Sequence, residues 1–108
     1  MRRKGGIGVP WVTISELNHI PRGTGTVVYA GGKAVALFNI DGTLYALDNV
    51  CTHRGGPLGE GRVDGRVVTC PWHGNQFDVT TGQVVVGARP VTAYAVRAEA
   101  GCVLIDLP

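Results

Sequence analysis

Apolar and polar residues alternate with a period of two along most of this chain, the spacing of strands that turn one face to a core. Trp11-Val12-Thr13-Ile14 predicts a first strand, and Ser15-Glu16-Leu17 a turn or short helical turn. Thr26 to Ala30 and Lys33 to Asn39 flank Gly31-Gly32, a two-residue hairpin signal. Asp41-Gly42 is a second, leading into Thr43 to Leu47, and Asp64-Gly65 a third, between Arg62-Val63 and Arg66 to Thr69. Phe77-Asp78-Val79 runs through a turn at Thr80-Thr81-Gly82 into Gln83 to Val86. Val91 to Val96, a turn at Ala100-Gly101 and Cys102 to Ile105 close the chain. Roughly eight to ten short strands and no convincing helix predict an all-β chain, an antiparallel barrel or sandwich. Only Ser15 to His19 has room for a helical turn.

Composition narrows the picture. A chain of 108 residues fits one domain with a modest core, which a cross-link or a metal would help. The 17 glycines, about twice average usage, suit many tight turns. No apolar run approaches the roughly 20 residues that cross a bilayer, so membrane insertion is not expected. The formal charge of +2 lives in Arg2, Arg3 and Lys4; without them seven positive charges face eight negative ones, a net of −1. A nearly neutral body argues against a nucleic-acid partner, which needs a basic stripe on the folded surface. The segment after the arginine pair is too short and glycine-rich for a secretory leader, so residues 1–10 read as a flexible basic arm and residues 11–108 as one domain. Three cysteines cannot all pair within the chain, which points to a reducing compartment, the cytoplasm.

Two segments break the strand pattern: Cys51-Thr52-His53-Arg54-Gly55-Gly56-Pro57-Leu58 and Cys70-Pro71-Trp72-His73-Gly74-Asn75-Gln76-Phe77-Asp78. Each offers one thiolate and one imidazole in a tight loop. The sixteen residues between His53 and Cys70 are enough for a hairpin that brings the loops side by side. Two sulfur and two imidazole ligands suit zinc or an iron–sulfur cluster. Zinc fingers pair like ligands, Cys with Cys and His with His, whereas each loop here mixes them, Cys-x-His and Cys-x-x-His. Mixed loops suit a two-iron cluster with both thiolates on one iron and both imidazoles on the other. A structural zinc module stays open as an alternative. A Cys–His nucleophilic pair lacks an oxyanion site and an orienting third group.

At these residues the chain resembles the Rieske [2Fe–2S] family. The likeness extends from about Trp11 to Leu107 and includes Gly55, Pro57-Leu58, Gly59-x-Gly61, Pro71, Gly74, Phe77-Asp78 and Thr81-Gly82. It implies a six-stranded antiparallel β base, barrel or sandwich, with an inserted cluster-binding subdomain over about residues 50–80. It implies one [2Fe–2S] cluster per chain, Cys51 and Cys70 on the buried iron, and His53 and His73 on the outer iron at the surface. The implied role is one-electron transfer rather than catalysis, from a flavoprotein reductase to a terminal oxygenase, as in aromatic-ring dioxygenase systems. The alternative is the small subunit of an assimilatory nitrite reductase. At this length no second domain is expected for a mononuclear iron, so the chain does not read as an oxygenase subunit itself.

Departures from the family pattern place the chain within it. Respiratory members carry an extra cysteine in each loop, forming a disulfide; Gly56 and Trp72 stand there instead. High-potential members donate side-chain hydroxyls to the cluster sulfurs, where this chain has Asn75 and Phe77. Fewer donors leave the reduced cluster less stabilised, so the resemblance implies a potential toward the low end of the range, about −150 mV. Trp72 reads either as a shield over the cluster or as part of a docking face. Gly55, Gly56 and Gly74 suit tight turns that aim N–H groups at sulfur. Arg54 and Arg62 are solvated or meet a partner's carboxylates, Cys102 reads as a small core residue, and His19 as a surface or packing residue.

Overall fold

The computed structural model describes residues 11–14, 20–52, 55–72, 74–99 and 102–106. The basic arm, His19 and the Ser15 to His19 segment lie outside the described residues, as do His53, Arg54 and His73. Among those described, the strands are β1 (Trp11–Ile14), β2 (Thr24–Ala30), β3 (Lys33–Ile40), β4 (Thr43–Asp48), β5 (Arg62–Asp64), β6 (Val67–Thr69), β7 (Gln76–Asp78), β8 (Val84–Val86), β9 (Ala93–Tyr94), β10 (Val96–Glu99) and β11 (Cys102–Asp106). All pairings are antiparallel. They form three sheets, ordered β1-β11-β10, β2-β3-β4-β9 and β5-β6-β7-β8.

An inner strand of the central sheet, β3, is buried on both faces. Along Lys33-Ala34-Val35-Ala36-Leu37-Phe38-Asn39-Ile40 the side chains alternate between faces. Val35 and Leu37 join Val28, Ala30, Ala46, Val103 and Ile105 in one core, against the β1-β11-β10 sheet. Ala36 and Phe38 join Leu47, Leu58, Val68 and Phe77 in a second core, against the β5–β8 sheet. Cys51 and Cys70 belong to that second core, so the strands that carry hydrophobic mass also position the thiols.

Turn chemistry fixes the pairing. Gly31 and Gly32 have φ of 60° and 80°, and Asp41 and Gly42 have φ of 54° and 93°, the left-handed pair that two-residue hairpins of matching twist require. The third hairpin differs by one residue from the sequence expectation. Asp64 pairs with Val67, so the turn is Gly65-Arg66 rather than Asp64-Gly65. Gly65 takes the left-handed φ of 63°, placing glycine first in the turn.

Two further differences concern the ends of elements. The strand expected over Val91 to Val96 breaks at Ala95: β9 pairs with β4 of the central sheet, while β10 pairs with β11 of the other. The chain thereby passes between layers, and β9 with β10 counts as one bent strand in a six-stranded base. A single 3-10 turn, Leu58–Glu60, appears where only loop was expected. Gly59 forces the fit, because a Cβ there would lie 2.7 Å from Val27 Cγ2 and 2.8 Å from the Thr26 carbonyl oxygen. Among the described residues no helix is long and apolar enough to cross a membrane.

Candidate metal centre

The two cysteine loops close in the same way. In the first, the Cys51 N–H donates to the Gly56 carbonyl at 3.0 Å and the Gly55 N–H donates to the Cys51 carbonyl at 2.8 Å. In the second, the Cys70 N–H donates to the Asn75 carbonyl at 2.8 Å and the Gly74 N–H to the Cys70 carbonyl at 3.2 Å. The fourth residue after each cysteine is thus a glycine, and its φ is 79° for Gly55 and 80° for Gly74. That left-handed conformation turns the chain back on itself and is costly for a residue with a Cβ. Each loop is thereby drawn into a small ring closed at its cysteine.

Both cysteines are buried. Cys51 and Cys70 are each 3% exposed and share one apolar core. The loops touch: a Cβ on Gly56 would stand 2.7 Å from Cys70 Sγ and 2.9 Å from Trp72 Cγ. The structure therefore brings together two of the four expected site residues. His53 and His73 lie outside the described residues, and so does Arg54. The side chain of Cys102 is likewise not described, although β11 pairs it with Glu99.

Different supports hold the two rings. Asn49, buried before the first loop, accepts the Gly59 N–H on Oδ1 at 2.7 Å, while its own carbonyl accepts the Leu58 N–H at 2.8 Å. Val50 and Pro57 form an isolated bridge across the loop's mouth. The Val50 N–H donates to Asp48 Oδ1 at 3.2 Å, and Lys33 Nζ lies 3.9 Å from Asp48 Oδ2. Burial, followed by the nearby Asp48 carboxylate, raises the Tyr94 phenol above its ordinary range.

The second ring hangs between β6 and β7. Gln76 Nε2 donates to Thr69 Oγ1 at 3.1 Å across its mouth. Below, Asp78 Oδ1 accepts the Thr80 hydroxyl at 2.6 Å and the Thr80 N–H at 2.8 Å, and Asp78 Oδ2 accepts Arg66 Nη2 at 3.0 Å. Burial raises the Asp78 carboxyl, but the bonds from Thr80 and Arg66 outweigh it and hold the group below its ordinary value.

A third segment was missed in the sequence reading. Gly87-Ala88-Arg89-Pro90 lies against both rings: Thr52 Oγ1 donates to the Arg89 carbonyl at 3.0 Å, and a Cβ on Gly87 would stand 2.6 Å from Asn75 Nδ2. Its signal was a Gly and a Pro three residues apart, between the run Val84-Val85-Val86 and Val91. Phe77, fully buried, is part of the core beneath the thiols.

The donor set and its surroundings fit a two-iron cluster. Two buried thiols share one core, backbone presses against one sulfur where a Cβ has no room, and the sequence puts a histidine two residues after Cys51 and three after Cys70.

Fold and site together define a small electron-transfer domain built around two Cys/His loops. The chain belongs to the Rieske [2Fe–2S] domain family, whose model matches residues 10–96. It carries a Rieske-type [2Fe–2S] cluster as its cofactor and transfers electrons rather than catalysing a reaction of its own. The chain is 39% identical over 101 residues to the ferredoxin component of a naphthalene 1,2-dioxygenase system from Pseudomonas aeruginosa, covering 90% of this chain and 95% of that one. A chain in the complex of reduced oxygenase and oxidized ferredoxin in carbazole 1,9a-dioxygenase matches with a TM-score of 0.79 and 29% identity, over 87% of this chain and 99% of that one. A putative NADH-dependent nitrite reductase small subunit from Mycobacterium tuberculosis matches with a TM-score of 0.81 and 27% identity, over 93% of this chain and 96% of that one.

Proposed function

We propose that Cys51, His53, Cys70 and His73 hold the cluster, and that the protein passes one electron at a time from a flavoprotein reductase to a terminal oxygenase of an aromatic-ring dioxygenase system in the cytoplasm. Residues 11–108 form its single domain, with the cluster held by the part between about residues 50 and 80, and residues 1–10 are a basic arm. The observation that carries the reading is the matched closure of the two cysteine loops over one buried pair of thiols. When bound, the cluster takes up and gives away a single electron. The chain's own residues do the rest. Cys51 and Cys70 sit in an apolar core that keeps water from the sulfurs. Four of the five large exposed apolar side chains among the described residues, Val50, Trp72, Val85 and Val86, flank or adjoin these loops and offer a contact face. A face of this kind suits short-lived docking, where the partner must leave after each electron. The low potential, about −150 mV, follows from the absence of hydroxyl donors at Asn75 and Phe77.

The electron paramagnetic resonance spectrum of the dithionite-reduced protein tests the assignment. A rhombic signal of an imidazole-ligated cluster, abolished along with the visible absorption in Cys51→Ala and in Cys70→Ala, is expected. A colourless, silent protein containing zinc overturns it. The fold match to the nitrite reductase small subunit favours one alternative acceptor. A stable complex with a sirohaem-containing subunit decides for that reading, and a weak, salt-sensitive complex with an oxygenase decides for the first.

A further inference from the structure

Trp72 stands where two demands meet. A Cβ on Gly56 would lie 2.7 Å from Cys70 Sγ, 2.9 Å from Trp72 Cγ and 3.1 Å from Trp72 Cβ. The backbone of the first loop is therefore wedged between the thiol and the root of the indole, both from the second loop. Trp72 as a whole remains 57% exposed, so one part of it packs on Gly56 and the rest faces solvent. A large ring immobilised over glycine removes apolar surface from water and fills the space beside the sulfur. Loss of iron from a thiolate begins when water or a proton reaches the sulfur, because only the deprotonated form binds metal.

We propose that Trp72 is a positioning residue: packed on Gly56, it clips the two loops together and seals the Cys70 side of the cluster from solvent. The inference rests on the ligand assignment above. It gives Gly56 a matching task, since any side chain there would push the clip open.

The test uses the cluster-loaded protein and follows the bleaching of its visible absorption in excess EDTA. Trp72→Ala shortens the half-time by about tenfold, less than complete loss because the ring is only partly buried. Trp72→Phe, which keeps a ring on Gly56, restores part of the protection, and Gly56→Ala shortens the half-time as well. Tyr29→Ala, at an aromatic residue 75% exposed on β2, leaves it at the parent's value. The midpoint potential supplies a second readout that a purely structural contact would not move. Admitting water beside the sulfur stabilises the more negative reduced state, so Trp72→Ala shifts the potential upward and Trp72→Phe shifts it less. A Trp72→Ala protein that bleaches with the parent's half-time overturns the proposal, even if its electron delivery to an oxygenase is slower; Trp72 is then a docking residue only. If Trp72→Ala does not fold, Trp72→Phe decides, and a half-time and potential equal to the parent's overturn the proposal. A parent whose reduced form lacks the imidazole-ligated signal overturns the ligand assignment itself, before any variant is compared.

Discussion

The two cysteine rings are copies in backbone and strangers in support. Both close through a cysteine N–H to the carbonyl five residues on, and both turn at a glycine with φ near 80°. Yet the first is bolted to the central sheet through the buried Asn49, whereas the second is an excursion between two three-residue strands. The shape around each thiol is therefore a local property, set by a glycine four residues after the cysteine. Where each ring sits is a tertiary property, set by what lies beneath it.

The difference can be broken from the support side first. Asn49→Ala orphans the buried Gly59 N–H, which costs about 1–3 kcal/mol. Chemical denaturation of the loaded protein reads that loss, and the first ring should lose amide-exchange protection while the second keeps it. Equal loosening of both rings would mean that they share one support. Next come Gly55→Ala and Gly74→Ala. Each forces a Cβ into the left-handed region at a cost of about 1–2 kcal/mol. Neither faces a steric obstacle, since Gly55 has only Val50 Cγ1 at 3.7 Å and Gly74 has nothing within 4 Å. The two losses should then match in the same denaturation experiment, and a large inequality would deny that the rings are equivalent.

The smallest effect belongs to the second ring alone. Asp78 has a folded pKa held below its ordinary 3.8. Its contribution is present above that value and lost as pH falls through the lowered folded pKa, so the acid loss falls below about pH 4. Asp78→Asn should cost at most about 1 kcal/mol at neutral pH, because the Arg66 partner is largely exposed. It should also flatten the fall in melting temperature below about pH 4. An unchanged acid limb in the variant would assign that fall to other carboxylates.

Much of this architecture was legible in the chain. Period-two alternation and the glycine pairs gave most strands, because a two-residue turn demands left-handed φ and few residues supply it. The cysteine loops stood out because both interrupt that alternation with the same ligand types. Other features left no periodic trace. Alternation reports which face is buried but not which sheet a strand joins, so the switch at Ala95 was invisible. Arg66 has the character of a strand residue, and only the pairing of Asp64 with Val67 shows it in the turn. The Gly87–Pro90 segment looked like a plain connector, since its tie to Thr52 uses a backbone carbonyl that any residue possesses.

The two-sided burial of β3 carries a further consequence, for how the chain finds its alignment. A strand with one wet face resists sliding by one residue, because every side chain would change sides. Val35, Ala36, Leu37 and Phe38 are all 0% exposed, so a one-step slide would exchange one apolar side chain for another. Burial alone thus discriminates weakly between the correct alignment and its neighbour. The discrimination comes from the tight reversals at its two ends, Gly31-Gly32 and Asp41-Gly42, which admit no extra residue. A single insertion in either would slide the whole floor beneath the metal centre while leaving its oiliness intact.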